Sequence, residues 1–327
     1  MPRKWLDFKA EIFAHTLGIT CVENHYMAVL IQQGFPYPCL FFQNFQTVDK
    51  TIHDFIHNKE SYIAYRGMKR LHEIGSELGI LETTHIRNLC FDEMIYIFNE
   101  TILRNIPLLV RVDPFQLPRM VGVPWREDHY IMLIGKDHSN YVILDDYPRR
   151  MLSLSETELK NAFRSEVIQF GEIHPMDWDK YFQKVKEYVG ECEPSGETEL
   201  KLIFNENLTT DDLLFIRDAI GIHRMSRKRL QAWGQWMKEN SNLMSENMLH
   251  LLKETSELTD KLYAMLEFFR LRKKLNLSSL EQITKTLLEK DNEWIRKTKE
   301  AIKQKKIVLK GDMKRWIMQH KRLWNSF

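Results

Sequence analysis

The sequence is poor in the features that mark several protein classes. Four cysteines in 327 residues are too few for a disulfide framework, which points to a reducing, cytoplasmic setting rather than secretion. Thirteen glycines and ten prolines argue against collagen-like and low-complexity disordered chains. No GxGxxG, P-loop or GxSxG sequence occurs, so nucleotide-binding and serine-hydrolase readings have no motif behind them. The Cys and His spacings match no zinc signature, and neither a metal nor a cofactor is expected. The first thirteen residues are broken by charge every few positions, so no signal peptide is expected. Asn24–Val48 carries no charged side chain, but it holds four Gln, His25 and the breaker run Gly34-Phe-Pro-Tyr-Pro38. It reads as buried globular structure, and no membrane partner is expected.

What is present is a globular composition, 43% hydrophobic and 28% charged, in a chain long enough for one large domain or two ordinary ones. The net charge of +2 hides a division. Residues 1–200 hold 21 Lys and Arg against 29 Asp and Glu, and residues 201–327 hold 26 against 16. Such an imbalance implies two halves with different partners. A domain over 1–190 and a basic helical domain over 191–327 are therefore expected, with Gly190–Glu197 as the linker.

Local patterns make the first half α+β. Cys21–Gln33 has helical apolar spacing and a stop at Gly34, and Phe91–Arg104 is a second helix. Three β-rich runs follow, 107–113, 129–135 and 141–145; the last two are apolar on both faces, as central strands of a covered sheet are. Polar Lys136–Asn140 should join them as a hairpin loop, placing Gly135 opposite Tyr141. Ser155 followed by Glu158 reads as a capping pair, and Val167–Ile173 as a further strand. Beyond Thr209 the chain reads as helices, with Met244–Leu271, Ser278–Glu289 and Glu293–Lys305 as separate segments.

Four sets of residues invite a chemical reading. Cys21 opens an apolar helix, where unpaired N–H groups and the helix dipole favour a thiolate; the plainer reading is a small buried hydrophobe. His129 starts its strand, and in the expected hairpin register it lies diagonally from Asp145 on the same face. Asp146 then points to the other face, and a one-residue slip would exchange the two acids. Such an acid orients an imidazole and stabilises its protonated form; the plainer reading is a satisfied structural histidine. His15, His25, His53, His57, His72 and His85 form the third set. His53 and His57 have the spacing of metal ligands without an HExxH pattern, and solvated helix faces account for the set. The fourth is the basic run Arg270–Lys274 with Lys303–Lys306. It lacks the aromatics and glycines of an RNA module, so no nucleic-acid partner is expected, and it reads as a solvated face or a landing site for an acidic protein.

Taken in order, Cys21 on its helix, Val112-Asp-Pro-Phe-Gln-Leu-Pro118, Asp128-His-Tyr-Ile-Met-Leu-Ile-Gly135 and Val142-Ile-Leu-Asp145 resemble the N-terminal domain of the butirosin biosynthesis protein H family. The resemblance covers about residues 15–150. It implies a papain-like cysteine-enzyme fold followed by a mostly helical C-terminal half. It also implies an acyltransferase of antibiotic assembly that moves an acyl group from a carrier-protein thioester to a small amine. Carried onto this sequence, Cys21 is the nucleophile, His129 the general base and acid, and Asp145 the orienting carboxylate. Papain-like enzymes usually hold a Gln about six residues before the Cys as oxyanion donor, and His15 stands there instead. The oxyanion site is left open between His15, Thr20 and Asn24, beside the Cys21 backbone N–H. Tyr147-Pro148 after Asp145-Asp146 departs from the commoner Asp-Pro ending. A peptidase or thioesterase on the same residues, and a non-catalytic scaffold keeping the fold, are the rival readings. The sequence does not specify the acyl group, the acceptor or the oligomeric state.

Overall fold

The computed structural model of the chain describes residues 4–18, 20–58, 65, 69–118, 129–194, 209–272, 276–304 and 307–310. Asp128, linker residues 195–197, and Lys273, Lys274, Lys305 and Lys306 of the basic runs lie outside the described residues. In chain order the elements are β1 (Lys4–Trp5), α1 (Cys21–Gln32), α2 (Val48–His57), α3 (Leu71–Glu77), β2 (Leu81–Arg87), α4 (Phe91–Leu103) and β3 (Leu108–Val112). Then follow β4 (His129–Asp137), β5 (Asn140–Asp146), β6 (Arg149–Leu154), α5 (Glu156–Ala162), β7 (Phe163–Ile173) and α6 (Trp178–Glu191). Three long helices complete the described chain: α7 (Thr210–Asn240), α8 (Glu246–Arg272) and α9 (Leu277–Gln304). The protein is thus α+β, with one antiparallel sheet among the described residues. No helix among them is long and apolar enough to cross a membrane.

Two compact units are present, residues 1–37 with 71–174, and residues 38–70 with 175–327. The division expected at 190/191 therefore falls elsewhere: 38–70 and 175–190 belong with the helices. Side-chain bonds inside that unit explain why. Tyr181 on α6 donates to the Cys39 carbonyl at 2.9 Å, and Ser226 on α7 donates to the Asn44 carbonyl at 2.8 Å. Gly190 and Glu191, expected as linker, are the last residues of α6.

The sheet unit has strand order β2-β7-β3-β4-β5-β6, with β1 paired to β4 at Lys136 and Gly135. β4 and β5 are buried along nearly their whole length, as their two-sided apolar pattern predicts. One face packs Phe91, Met94 and Phe98 of α4 against Val110, Ile131 and Ile143. Side chains alternate along a strand, so Phe170 points to the face opposite Val167, and there it meets Tyr26 of α1, ring centroids 6.3 Å apart. The Tyr26 hydroxyl continues past α3 to donate to the Leu81 carbonyl at 3.1 Å. Gly75 makes that passage available: a Cβ there would stand 1.7 Å from the Tyr26 oxygen. α1 starts with Thr20 as N-cap, its hydroxyl accepting from Glu23 N at 3.3 Å. Buried Glu23 in turn accepts from Leu71 N at 3.0 Å and so anchors the start of α3 to α1.

The β4–β5 hairpin differs from expectation in an instructive way. The five-residue loop is a two-residue turn, His138-Ser139, with Asp137 opposite Asn140 and His138 at φ 57°. A bulge between Leu133 and Gly135 then shifts the pairing by one residue. Met132 consequently faces Leu144, the register expected for the far end of the hairpin. After β5, Tyr147-Pro148 turns the chain into β6, placing Arg150 opposite Asp145 and Arg149 opposite Asp146.

In the helical unit, Thr209 caps α7 with Asp212 returning the bond. α9 is continuous where two helices were expected. The polar run Lys290-Asp291-Asn292 reads as a break in sequence, but Asp291 is buried and receives Arg227 Nε at 2.7 Å and Nη2 at 2.5 Å. The stacking of Phe45 on Trp294, centroids 4.7 Å apart, closes the same region. Buried threonines on these helices return their hydroxyls to their own backbone, as Thr259 does to Thr255 and Thr298 to Trp294.

Candidate active site

The N-terminus of α1, the start of β4 and the end of β5 meet within the sheet unit. His129 Nε2 lies 2.7 Å from Asp145 Oδ1. Cys21 is among the groups that raise the pKa of the same imidazole. His129 and Asp145 are both buried, and Cys21 is half-buried.

Asp145 is held from three directions. Besides His129 it accepts from Arg150 Nε and Nη2, each at 3.1 Å to Oδ2, and from the Tyr147 N–H at 3.2 Å. Arg150 is itself fixed by donating to the Pro118 carbonyl at 3.1 Å. A charged, two-pronged bond of this kind holds a carboxylate in one orientation. Sequence reasoning missed Arg150. The signal was an Asp and an Arg placed symmetrically about Asp146-Tyr-Pro-Arg149, as cross-strand partners are.

Asp146 does not simply point away, as the strand alternation predicts. Its Oδ1 is 3.7 Å from His129 Nε2, and its Oδ2 accepts from Asn24 Nδ2 at 2.7 Å. The reason is at the strand end, where an α1 side chain supplies a donor to the second acid. Asn24 is engaged on both sides, since its Oδ1 accepts from Gly18 N at 2.9 Å. Glycine is required there: a Cβ on residue 18 would lie 2.2 Å from that oxygen.

Of the three residues considered for an oxyanion site, Asn24 is thus committed to Asp146 and Gly18, and the Thr20 hydroxyl caps α1. His15 lies at the exposed end of a short 3-10 turn, its carbonyl accepting from Tyr37 at 2.6 Å. The Cys21 backbone N–H, in the first turn of α1, belongs to the group that a helix leaves without an internal partner.

Electrostatics favour a charged imidazole. Burial opposes the charge on His129, but the hydrogen bond and charge of Asp145, with the influence of Cys21, outweigh it. The His129 pKa is raised from about 6.5 to about 10. His25, one turn along α1, behaves oppositely. It is fully buried, donates from Nδ1 to the Cys21 carbonyl at 2.7 Å, and burial lowers its pKa against the pull of Asp146. Its burial corrects the expectation of solvated helix-face histidines, as does His85, which lies on strand β2. His53 and His57 do stack on one face of α2, centroids 4.4 Å apart.

Among the described residues, the one group of three or more side chains able to converge on a metal is His129, Asp145 and Asp146, with ligand atoms within 4.8 Å of one another. A cation there would displace the proton held between His129 and Asp145 and would sit beside the Arg150 guanidinium. The geometry is that of a proton held between an imidazole and a carboxylate.

The chain matches no protein-family model and no curated protein.

Proposed function

We propose that this chain is a cysteine-dependent acyltransferase of papain-like fold, related to the butirosin biosynthesis protein H family, acting through an acyl-enzyme on Cys21. The observation that carries this reading is the His129 imidazole bonded to Asp145 at 2.7 Å, with Cys21 among the groups that hold its pKa high. The order of elements supports it as well: a cysteine opening a helix packed on an antiparallel sheet, a histidine starting one strand, and an acid ending the next.

The chemistry follows from these positions. Cys21 Sγ attacks the carbonyl carbon of a thioester, and the developing oxyanion is met by the Cys21 backbone N–H. Collapse of the tetrahedral species breaks the carbon–sulfur bond of the donor, and the His129 imidazolium protonates the departing thiolate. Acylation removes the negative charge from Cys21, one of the influences that hold the His129 pKa high. The now neutral imidazole takes a proton from an amine as the amine attacks the acyl carbon, and Cys21 is released as the leaving group. Asp145 keeps the ring oriented throughout.

The donor in this reading is an acyl group on an acidic carrier protein, and the acceptor a small amine, in a cytoplasmic biosynthetic pathway. The excess of Lys and Arg over residues 201–327 would speed encounter with an acidic donor, so association should weaken as salt is raised. The decisive experiment is intact-mass detection of an acyl adduct after incubation with a set of thioesters. An adduct on the native chain, absent from Cys21→Ala, is the expected result; no adduct with any donor overturns the reading. Product analysis with and without amines separates transfer from hydrolysis.

A further inference from the structure

The outer end of the α8–α9 hairpin, in the helical unit, carries a surface that the chemistry above does not use. Only four residues join the two helices, so they run antiparallel, and the ion pair between Lys290 Nζ and Glu254 Oε2 at 3.1 Å sets their register. Counting back equally from each partner brings Leu277 level with Glu267, beside Phe268. Phe268 is 54% exposed, Leu271 65% and Leu277 56%. Leu266 and Leu280 just behind them are buried, so the hairpin is packed up to this end. The start of α9 is capped as well: Asn276 Oδ1 accepts from Ser279 N at 3.1 Å and from the Ser278 hydroxyl at 2.9 Å. The three apolar side chains therefore stand on finished helix ends.

Positive charge surrounds them. From Phe268 to Leu280 the sequence holds Arg270, Arg272, Lys273 and Lys274 and no acid. Arg270 Nε donates to Glu267 at 2.9 Å, an acid that Arg217 Nη1 also meets at 3.3 Å. Arg272 is exposed, and no acid meets it among the described residues. Farther back on the solvent side of α8 the exposed residues are Lys261, Glu257 and Lys253, so the apolar exposure is confined to the end.

The size and place of this surface decide what it fits. Three side chains cover far less than the about 800 Å² per partner that a stable protein interface buries. They also stand at the end of a hairpin, not along a groove that a partner helix could fill. Apolar side chains that can enter a lipid headgroup region, with arginines beside them for anionic lipid, are the combination that holds a protein on a membrane surface.

We propose that the α8–α9 end docks on an anionic phospholipid bilayer, Phe268, Leu271 and Leu277 entering the interface and Arg270 and Arg272 meeting the headgroups. This is attachment to a surface and not a span, since no helix among the described residues is long and apolar enough to cross. It does not depend on the reading of Cys21 as nucleophile.

The test is flotation of the full chain with vesicles of phosphatidylcholine alone or with about one third phosphatidylserine. The native chain should bind the anionic vesicles at least about tenfold more tightly, and less so as salt is raised. Leu271→Ser with Leu277→Ser should lower that binding about tenfold, and Arg272→Glu should lower it too. Both variants should keep the native melting temperature, because the altered side chains are exposed, and Cys21→Ala should bind as the native chain does. Equal binding to both kinds of vesicle, or unaltered binding by the double serine variant, overturns the proposal. Salt-sensitive retention on immobilised polyglutamate without vesicle binding also overturns it and assigns the surface to an acidic protein.

Discussion

Asn24 Nδ2 donates to Asp146 Oδ2 across 2.7 Å, a bond between residues 122 positions apart that ties the first turns of α1 to the end of β5. Cys21 stands one turn before Asn24 and Asp145 one residue before Asp146, so this amide sets how far the thiol lies from the histidine–carboxylate pair. Asn24→Ala leaves Asp146 nearly buried with neither oxygen bonded. A loss of about 1–3 kcal/mol is expected in chemical denaturation, with slower alkylation of Cys21 in the folded variant. Unchanged alkylation would separate the tie from the site.

Gly18 is the other end of that amide. Alanine there puts a methyl group 2.2 Å from the Asn24 oxygen and 2.8 Å from the Asn24 backbone nitrogen, and the backbone cannot give way as a flexible side chain could. Gly18→Ala should destabilise the chain by about 1–3 kcal/mol and should reproduce the Asn24→Ala effect on Cys21. A double variant no worse than either single one would confirm that both act through one contact.

The proton on His129 gives a pH prediction with a definite sign. Its folded pKa, about 10, lies above the ordinary value of 6.5. The stabilisation this provides is complete below about pH 6.5 and is lost as pH rises from there through about 10. An NMR titration of the imidazole should place its midpoint in the alkaline range. Asp145→Asn, which removes the first favourable partner, should bring the midpoint down. A midpoint near 6.5 in the native chain would contradict the contact geometry.

The four thiols should separate in alkylation by iodoacetamide. Burial pushes the Cys39 thiol pKa well up and that of Cys192 to about 11, so both should be slow. Cys90 is exposed and is the fair comparison for Cys21. Mass mapping at neutral pH should find Cys21 modified first, and His129→Ala should bring its rate down to that of Cys90.

In the helical unit, Arg227 and Asp291 are fully buried partners. Removing either one by alanine substitution should cost about 3–5 kcal/mol, whereas replacing both with apolar residues of similar volume should cost much less. Thermal or urea melts of the two singles and the double variant measure this directly.

The parts of this fold that were legible in sequence are those set by local pattern. α1 and α4 carry helical spacing, α1 with a stop behind it, and β4 and β5 are too apolar for a strand with a solvated face. What escaped was set by partners distant in the chain. The hairpin loop was misjudged because His138 in a left-handed turn and a mid-strand bulge leave no compositional mark, though the bulge restored the expected pairing at the end that matters. β6, whose Arg149-Arg-Met-Leu-Ser-Leu154 is half exposed, reads as loop, and with it went Arg150. Asp291 looked like a helix break because its partner, Arg227, lies 64 positions away. The passage of 38–70 into the helical unit depends on contacts such as Phe45 with Trp294, which no local window contains.

Arg150 bears on more than the placement of Asp145. A buried carboxylate whose sole companion is an imidazole is stranded when the ring surrenders its hydrogen, a low-dielectric anion with nothing opposite it. In this protein the guanidinium lies opposite Asp145 as a permanent counterion, so the acid is compensated whichever form the imidazole takes.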